Sequence, residues 1–122
     1  MRRILAWFFL FLLVPFVHAG VLMPGGVQLL CHRTANEDVP ENTLESLEQA
    51  ALLGCNVVEI DLRRTLDGKI VLNHDGILER LTDGIGEVEN TYYGDLELRD
   101  AGAWMGDRFA GLHIVLLEDA LR

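Results

Sequence analysis

Val57-Val58-Glu59-Ile60-Asp61-Leu62 alternates side chains of opposite character within a β-branched stretch, and the rest of the chain is best read outward from it. Such a run reads as a strand, with Val58, Ile60 and Leu62 on one face and Val57, Glu59 and Asp61 on the other. The first face is suited to packing beneath a helix. The second sets two carboxylates two positions apart, at the carboxyl end of a strand that otherwise reads as buried. Two like charges that close and partly desolvated keep one carboxyl protonated unless a cation lies between them. A hard divalent ion such as Mg2+ or Ca2+ removes the conflict, because it prefers carboxylate oxygen. The plainer alternative is an exposed edge strand with two ordinary surface acids.

Upstream, residues 27–31 form a short apolar run consistent with a buried strand. Pro40 followed by Glu41, Asn42 and Thr43 marks a helix start with acid near its N-terminus. The helix is expected over about 44–53, with Leu44, Leu47, Ala51 and Leu52 on one face and Gly54 as its stop. Downstream, an Asp67-Gly68 turn leads to a third strand over 70–73. Strand, helix and buried strand point to a right-handed βαβ unit in a parallel sheet, an α/β fold. Residues 75–111 differ. Asp83-Gly84, Gly86, Gly94, Gly102, Gly106 and Gly111 interrupt every strong periodicity, so the stretch reads as an excursion from the sheet with a short helix near 95–100. Trp104, Met105 and Phe109 within it either line an apolar substrate wall or form its own core.

Two histidines fall at matching places. His32 directly follows the first strand and His74 the third. If these strands are parallel neighbours, His32, Glu59, Asp61 and His74 emerge at one end of the sheet, where α/β folds place their active sites. Arg33 adds a fixed positive fork suited to a phosphate or carboxylate. His18 and His113 receive no role. Cys31 and Cys55, placed in register on extended strands, would lie roughly 13–17 Å apart at ~3.3 Å per residue. That is beyond disulfide reach, and both read as small buried residues.

The 122 residues are 50% apolar and 24% charged, with a formal net charge of -9. An apolar share of that size excludes a disordered polar tail. The acidic balance and the lack of any Lys/Arg run argue against nucleic-acid binding. Arg2 and Arg3 precede an apolar run over 4–16, and Val17-His18-Ala19 places tolerated residues before Gly20, the layout of a signal peptide over 1–19. An uncleaved membrane anchor is the alternative, but the run is short of the ~20 apolar residues that span a bilayer and Pro15 interrupts its end. The expectation is therefore an exported protein, periplasmic or secreted, with no stable membrane span after leader removal. Oligomeric state is not legible.

Cys31-His32-Arg33-Thr34, Val39-Pro40-Glu41-Asn42-Thr43, Val58-Glu59-Ile60-Asp61, Asn73-His74-Asp75-Gly76 and Leu81-Thr82-Asp83-Gly84 together resemble the N-terminal part of the glycerophosphodiester phosphodiesterases. The likeness runs from about residue 27 to 121. It implies a TIM (β/α)8 barrel of the phospholipase-C-like phosphodiesterase type, with residues 75–111 as the small inserted subdomain and 20–122 as part of the catalytic domain. It further implies His32 and His74 as an acid–base pair, Glu59 and Asp61 as ligands of a divalent cation (Ca2+ or Mg2+), and Arg33 as a contact to the phosphate of a small glycerophosphodiester. The implied products are glycerol 3-phosphate and an alcohol, within lipid and glycerol metabolism. This chain departs from the family pattern at Thr34, where most members carry Gly, and at Val115-Leu116 in place of Pro-Thr. A third acidic ligand of the family falls on a strand past the equivalent of Arg122. A complete barrel takes about 250 residues, so the alternatives kept open are a truncated, non-catalytic fragment and a sphingomyelinase-D-like lyase, which shares the paired His and Glu-x-Asp pattern.

Overall fold

In the computed structural model, which describes residues 26–122, β1 (Leu30–Cys31), α1 (Leu44–Leu52), β2 (Val57–Val58), β3 (Leu62–Arg64), β4 (Ile70–Leu72), α2 (Tyr93–Leu96) and α3 (Leu117–Ala120) follow one another. Single 3-10 turns lie at Val88–Asn90, Ala103–Met105 and Asp107–Phe109. The leader expected over 1–19 lies outside the described residues.

Thr43 starts α1. Its hydroxyl accepts the Ser46 N–H at 3.2 Å, and Ser46 Oγ accepts the Thr43 N–H at 3.0 Å, so two donors orphaned at the helix start are satisfied reciprocally. Gly54, at φ +80, stops it as expected, donating its N–H to Ala51 O at 3.0 Å. The inward face, however, is a correction. Ser46 and Ala50 are buried, whereas Leu44 is 42% and Leu52 82% exposed. The small residues win because Ser46 Oγ hydrogen-bonds Thr34 Oγ1, which draws the helix against the loop after β1 closer than leucines would allow.

β1 and β2 pair in parallel, Leu30 opposite Val57 and Cys31 opposite Val58, with α1 as the crossover between them. The expected strand–helix–strand unit is therefore present. The single strand expected over 57–62 is not. Residues 59–61 leave the ladder because the loop before α1 takes their backbone groups: Thr34 N–H donates to Glu59 O at 2.9 Å, and Asp61 N–H donates to Asn42 Oδ1 at 3.0 Å. The chain re-enters a sheet at β3, which pairs antiparallel with β4, Leu62 opposite Leu72 and Arg64 opposite Ile70. The expectation of a third parallel neighbour is thus corrected. Strands joined by a turn as tight as Asp67-Gly68 return antiparallel, since a parallel return needs a crossover of about a dozen residues or more.

The cysteines are also corrected. Cys31 and Cys55 form a disulfide, with Cα atoms 5.9 Å apart. The N–H groups of Asn56 and Val57 both donate to Leu29 O, at 3.1 and 3.2 Å, so the chain entering β2 bulges instead of extending straight back from it. That brings Cys55 alongside Cys31.

The excursion shares a core with β4 and with the segment that follows residue 111. Leu78, Val88, Leu96, Ala101 and Ile114 are buried together with Val71 of β4, with Tyr93 and Leu116 packed against them. Its short helix is α2, a few residues earlier than expected, because Asp100 is occupied as a turn anchor: its carboxylate accepts the N–H groups of Gly102, Ala103 and Gly111. Those bonds hold the Asp100 carboxyl below its usual range. Gly102 is required for space, since a Cβ there would stand 1.9 Å from Phe109 O. Of the three residues with two open readings, Trp104 is 43% exposed and none belongs to the buried cluster.

Candidate active site

Arg33 lies in the loop after β1 with φ +47, followed by Thr34 at φ +71 and, nearby, Asn42 at φ +60. Asn tolerates that region; a β-branched residue does not, so the Thr34 backbone is strained. Burial and bonding hold it: Thr34 is fully buried, its hydroxyl accepts the Asn42 N–H at 3.2 Å, and its own N–H is tied to Glu59 O. This tight loop aims Arg33 at the segment between β2 and β3.

Arg33 is the hub. Its backbone N–H donates to Glu59 Oε2 at 2.8 Å, its Nε stands 3.8 Å from Asp61 Oδ2, its Nη1 donates to Glu41 Oε1 at 3.3 Å, and its Nη2 lies 2.8 Å from His74 Nε2. Arg33 Nε is buried without a hydrogen-bond partner. Asp61 Oδ2 also accepts Asn42 Nδ2 at 3.0 Å. Four of the five expected residues, Arg33, Glu59, Asp61 and His74, are therefore brought together. His74 arrives by a route other than the one expected. The β3–β4 hairpin register continues one step, Asn73 N–H donating to Asp61 O at 3.0 Å, and so carries His74 back beside the Glu59–Asp61 segment.

His32 is not linked to this group. It is exposed, and among the described residues its side chain makes no hydrogen bond or ion pair. It borders a cavity of about 260 Å³ with Thr34, Asn36, Asp38 and Leu53.

The Arg33 guanidinium stands beside Asp61 alone, whereas Glu59 is met by the Arg33 backbone N–H. Among the described residues no donor is bonded to Glu59 Oε1 or Asp61 Oδ1. Two hard oxygens thus remain for a divalent cation, which takes about six to eight such ligands. The donor chemistry fits only as part of a shell that water and substrate oxygens would complete, since among the described residues no group of three or more His, Cys, Asp or Glu is placed to hold a metal ion.

Three residues at the site were given no role there by sequence reasoning. Asp75 Oδ1 lies 2.6 Å from His74 Nδ1. Arg80 grips Asp75 with Nε to Oδ2 at 2.5 Å and Nη2 to Oδ1 at 2.9 Å, and reaches Glu41 with Nη2 to Oε1 at 3.0 Å. The Arg80 bonds, then the His74 contact, hold the Asp75 carboxyl well below the usual carboxylate range; Asp75 and Glu41 in turn hold Arg80 above its own. Glu41 was read only as acid near a helix start, yet its side chain is 6% exposed and bridges two guanidiniums. The available signal was chemical: an acid beside Pro40 ahead of a helix that makes no cap bond of its own, and an Asp directly following a candidate His.

The model of the glycerophosphoryl diester phosphodiesterase family matches residues 32–122. A glycerophosphodiester phosphodiesterase of Bacillus subtilis is 34% identical over 98% of this chain and 47% of its own length. Glycerophosphodiester phosphodiesterase 1 of Mus musculus is 45% identical over 70% of this chain and 26% of its own length. The chain spans about half the length, or less, of these curated relatives. Among solved structures, a phosphodiesterase of Oleispira antarctica in complex with the product sn-glycerol-3-phosphate superposes with a TM-score of 0.75 at 39% identity, over 77% of this chain and 38% of that one. A glycerophosphodiester phosphodiesterase of Agrobacterium tumefaciens does so with a TM-score of 0.76 at 35% identity, over 78% and 41%.

Proposed function

Because the chain belongs to the glycerophosphoryl diester phosphodiesterase family, we propose that it carries the phosphate-binding and proton-transfer groups of a site that hydrolyses glycerophosphodiesters to glycerol 3-phosphate and an alcohol. The observation that carries the reading is the convergence on Arg33: one guanidinium, with its own backbone N–H, meets Glu59, Asp61 and His74. A phosphodiester is anionic and repels nucleophiles, so charge neutralisation at its nonbridging oxygens is the main demand on the site. Arg33 would meet part of it by turning its fork, which bonds Glu41 and His74 in this structure, to the substrate oxyanion. Glu59 and Asp61 would hold a divalent cation, Mg2+ or Ca2+, which when bound supplies further positive charge to the same oxygens.

His74 is the base. Its Nε2 takes the proton of the attacking hydroxyl, whether of water or of the neighbouring glycerol carbon by way of a cyclic phosphate. His32 is the acid that gives a proton to the departing alcohol oxygen, and the two must carry opposite protonation states to do so. His32 follows β1 directly and is adjacent in the chain to Arg33, which supports its place at the same strand end. The architecture proposed around this site is the first part of a (β/α)8 barrel, with residues 75–111 as its inserted subdomain. The leader pattern over 1–19 and the Cys31–Cys55 disulfide support export to an oxidising compartment.

The test is an assay on glycerophosphocholine with and without chelator. Chelator is expected to abolish turnover. His32→Ala and His74→Ala are each expected to lower kcat by roughly 10²–10⁴-fold, the usual worth of a positioned proton-transfer group. A full-activity variant at either position overturns the acid–base assignment. A cyclic phosphate as the sole final product would favour a lyase over a hydrolase.

A further inference from the structure

Five side chains close into a ring. Arg33 Nη2 meets His74 Nε2 at 2.8 Å, His74 Nδ1 meets Asp75 Oδ1 at 2.6 Å, Asp75 is forked by Arg80, Arg80 reaches Glu41 with Nη2 at 3.0 Å and Nη1 at 3.4 Å, and Glu41 returns to Arg33 Nη1 at 3.3 Å. We propose that Arg80, braced by Glu41, is a positioning residue that fixes His74 with its proton on Nδ1 and a bare Nε2.

The hydrogen-bonding inventory dictates the tautomer. A guanidinium donates and never accepts, so the nitrogen facing Arg33 accepts and is unprotonated. A carboxylate accepts only, so the nitrogen facing Asp75 donates. Arg80 Nη2 also stands 3.5 Å from Nδ1, but as a donor it cannot bond a protonated nitrogen, and the 2.6 Å contact to Asp75 governs. A free neutral imidazole in water favours the opposite arrangement, with the proton on Nε2. Holding the minority form therefore requires an Asp75 that cannot turn away, and Arg80 supplies this with a two-point grip. Glu41 braces Arg80 from the other side with a side chain nearly shut off from solvent. Two positive and two negative side chains balance around a neutral His74.

The ring also joins parts of the chain distant in sequence. Arg80 belongs to the excursion, Glu41 to the loop before α1, and His74 to the end of the β3–β4 hairpin. A lysine at position 80 could not replace the fork, because a point charge cannot span both carboxylates of the ring at once. The functional weight of the device rests on the reading of His74 as a base, for which the unprotonated Nε2 is the reacting atom once the Arg33 N–H that it accepts in the closed ring turns to the substrate phosphate.

The experiment is a two-bond proton–nitrogen correlation spectrum of the isotopically labelled whole chain at a pH where the ring is neutral, with His74 assigned by the loss of its signals in His74→Gln. The wild-type protein is expected to show a protonated Nδ1 and an unprotonated Nε2. Arg80→Gln and Arg80→Lys, both at a half-exposed side chain, are expected to raise the share of the Nε2–H tautomer, because Asp75 is then free to turn away, while far-ultraviolet circular dichroism stays unchanged. A wild-type proton on Nε2 overturns the proposal, as does a tautomer ratio in both variants equal to that of the wild type. The spectrum needs no turnover. A chain with the Nδ1–H tautomer that fails to hydrolyse glycerophosphocholine would therefore overturn the reaction proposed above while supporting the ring.

Discussion

Replacing Asp75 by Asn removes a charge whose effect on stability must change with pH, in a direction that the structure sets. Asp75 accepts two bonds from Arg80 and one from His74, and these hold its carboxyl well below the ordinary value in the folded chain. A folded pKa lower than the unfolded one adds stability that is complete above the unfolded value and is lost as pH falls towards the folded value. Hydrogen bonds to a charged group are worth about 1.5–3 kcal/mol each. The Arg80 side chain is 42% exposed, so solvent screening reduces its share, and Asn keeps one acceptor oxygen for the same donors. The expected cost of Asp75→Asn at neutral pH is therefore about 1–2 kcal/mol in total. Urea denaturation of both proteins at pH 7, 4 and 3 would measure it. The gap should be widest at pH 7, unchanged to near pH 5, and narrower at pH 3, where the unfolded wild-type chain has bound the proton that the folded chain still refuses. A gap that stays constant from pH 7 to pH 3, or widens on acidification, refutes the account.

Leu96 is the buried residue of α2 and lies fully within the excursion core; Leu96→Ala should cost about 2–5 kcal/mol, read as a fall in urea midpoint. The Cys31–Cys55 disulfide closes a segment with a sequence separation of 24, so reduction should lower stability by about 3 kcal/mol, checked by denaturation with and without dithiothreitol. Added Mg2+ or Ca2+ should raise the melting temperature of the wild-type chain, and at about 100 times Kd the gain is about 2.7 kcal/mol. The double substitution Glu59→Gln with Asp61→Asn should abolish that shift, and a variant that keeps it would remove these acids from the cation site.

Local patterns were the part of the fold that could be read directly. Thr43 caps α1 with its hydroxyl, Gly54 stops it at positive φ, and the Asp67-Gly68 turn forms. Longer-range consequences were read less well. Alternation in 57–62 singled out Glu59 and Asp61, but alternation carries no information about which backbone partner each residue meets, and the partners at 59–61 come from Thr34 and Asn42. Helical periodicity likewise selected the leucines of α1, whereas close approach to the loop at Thr34 selected Ser46 and Ala50.

The identities and order of Arg33, Glu59, Asp61 and His74 belong to the primary structure, because carboxylates, a guanidinium and an imidazole declare their chemistry wherever the chain puts them. Their meeting belongs to the folded chain. It depends on the left-handed turn at Arg33 and Thr34, on an antiparallel register that returns His74 to Asp61, and on Arg80 reaching from the excursion to Asp75 and Glu41. Those contacts bridge up to 41 positions of chain. Pairings at such separations are chosen by which packing satisfies the most buried polar groups together, a condition that no local window of residues expresses.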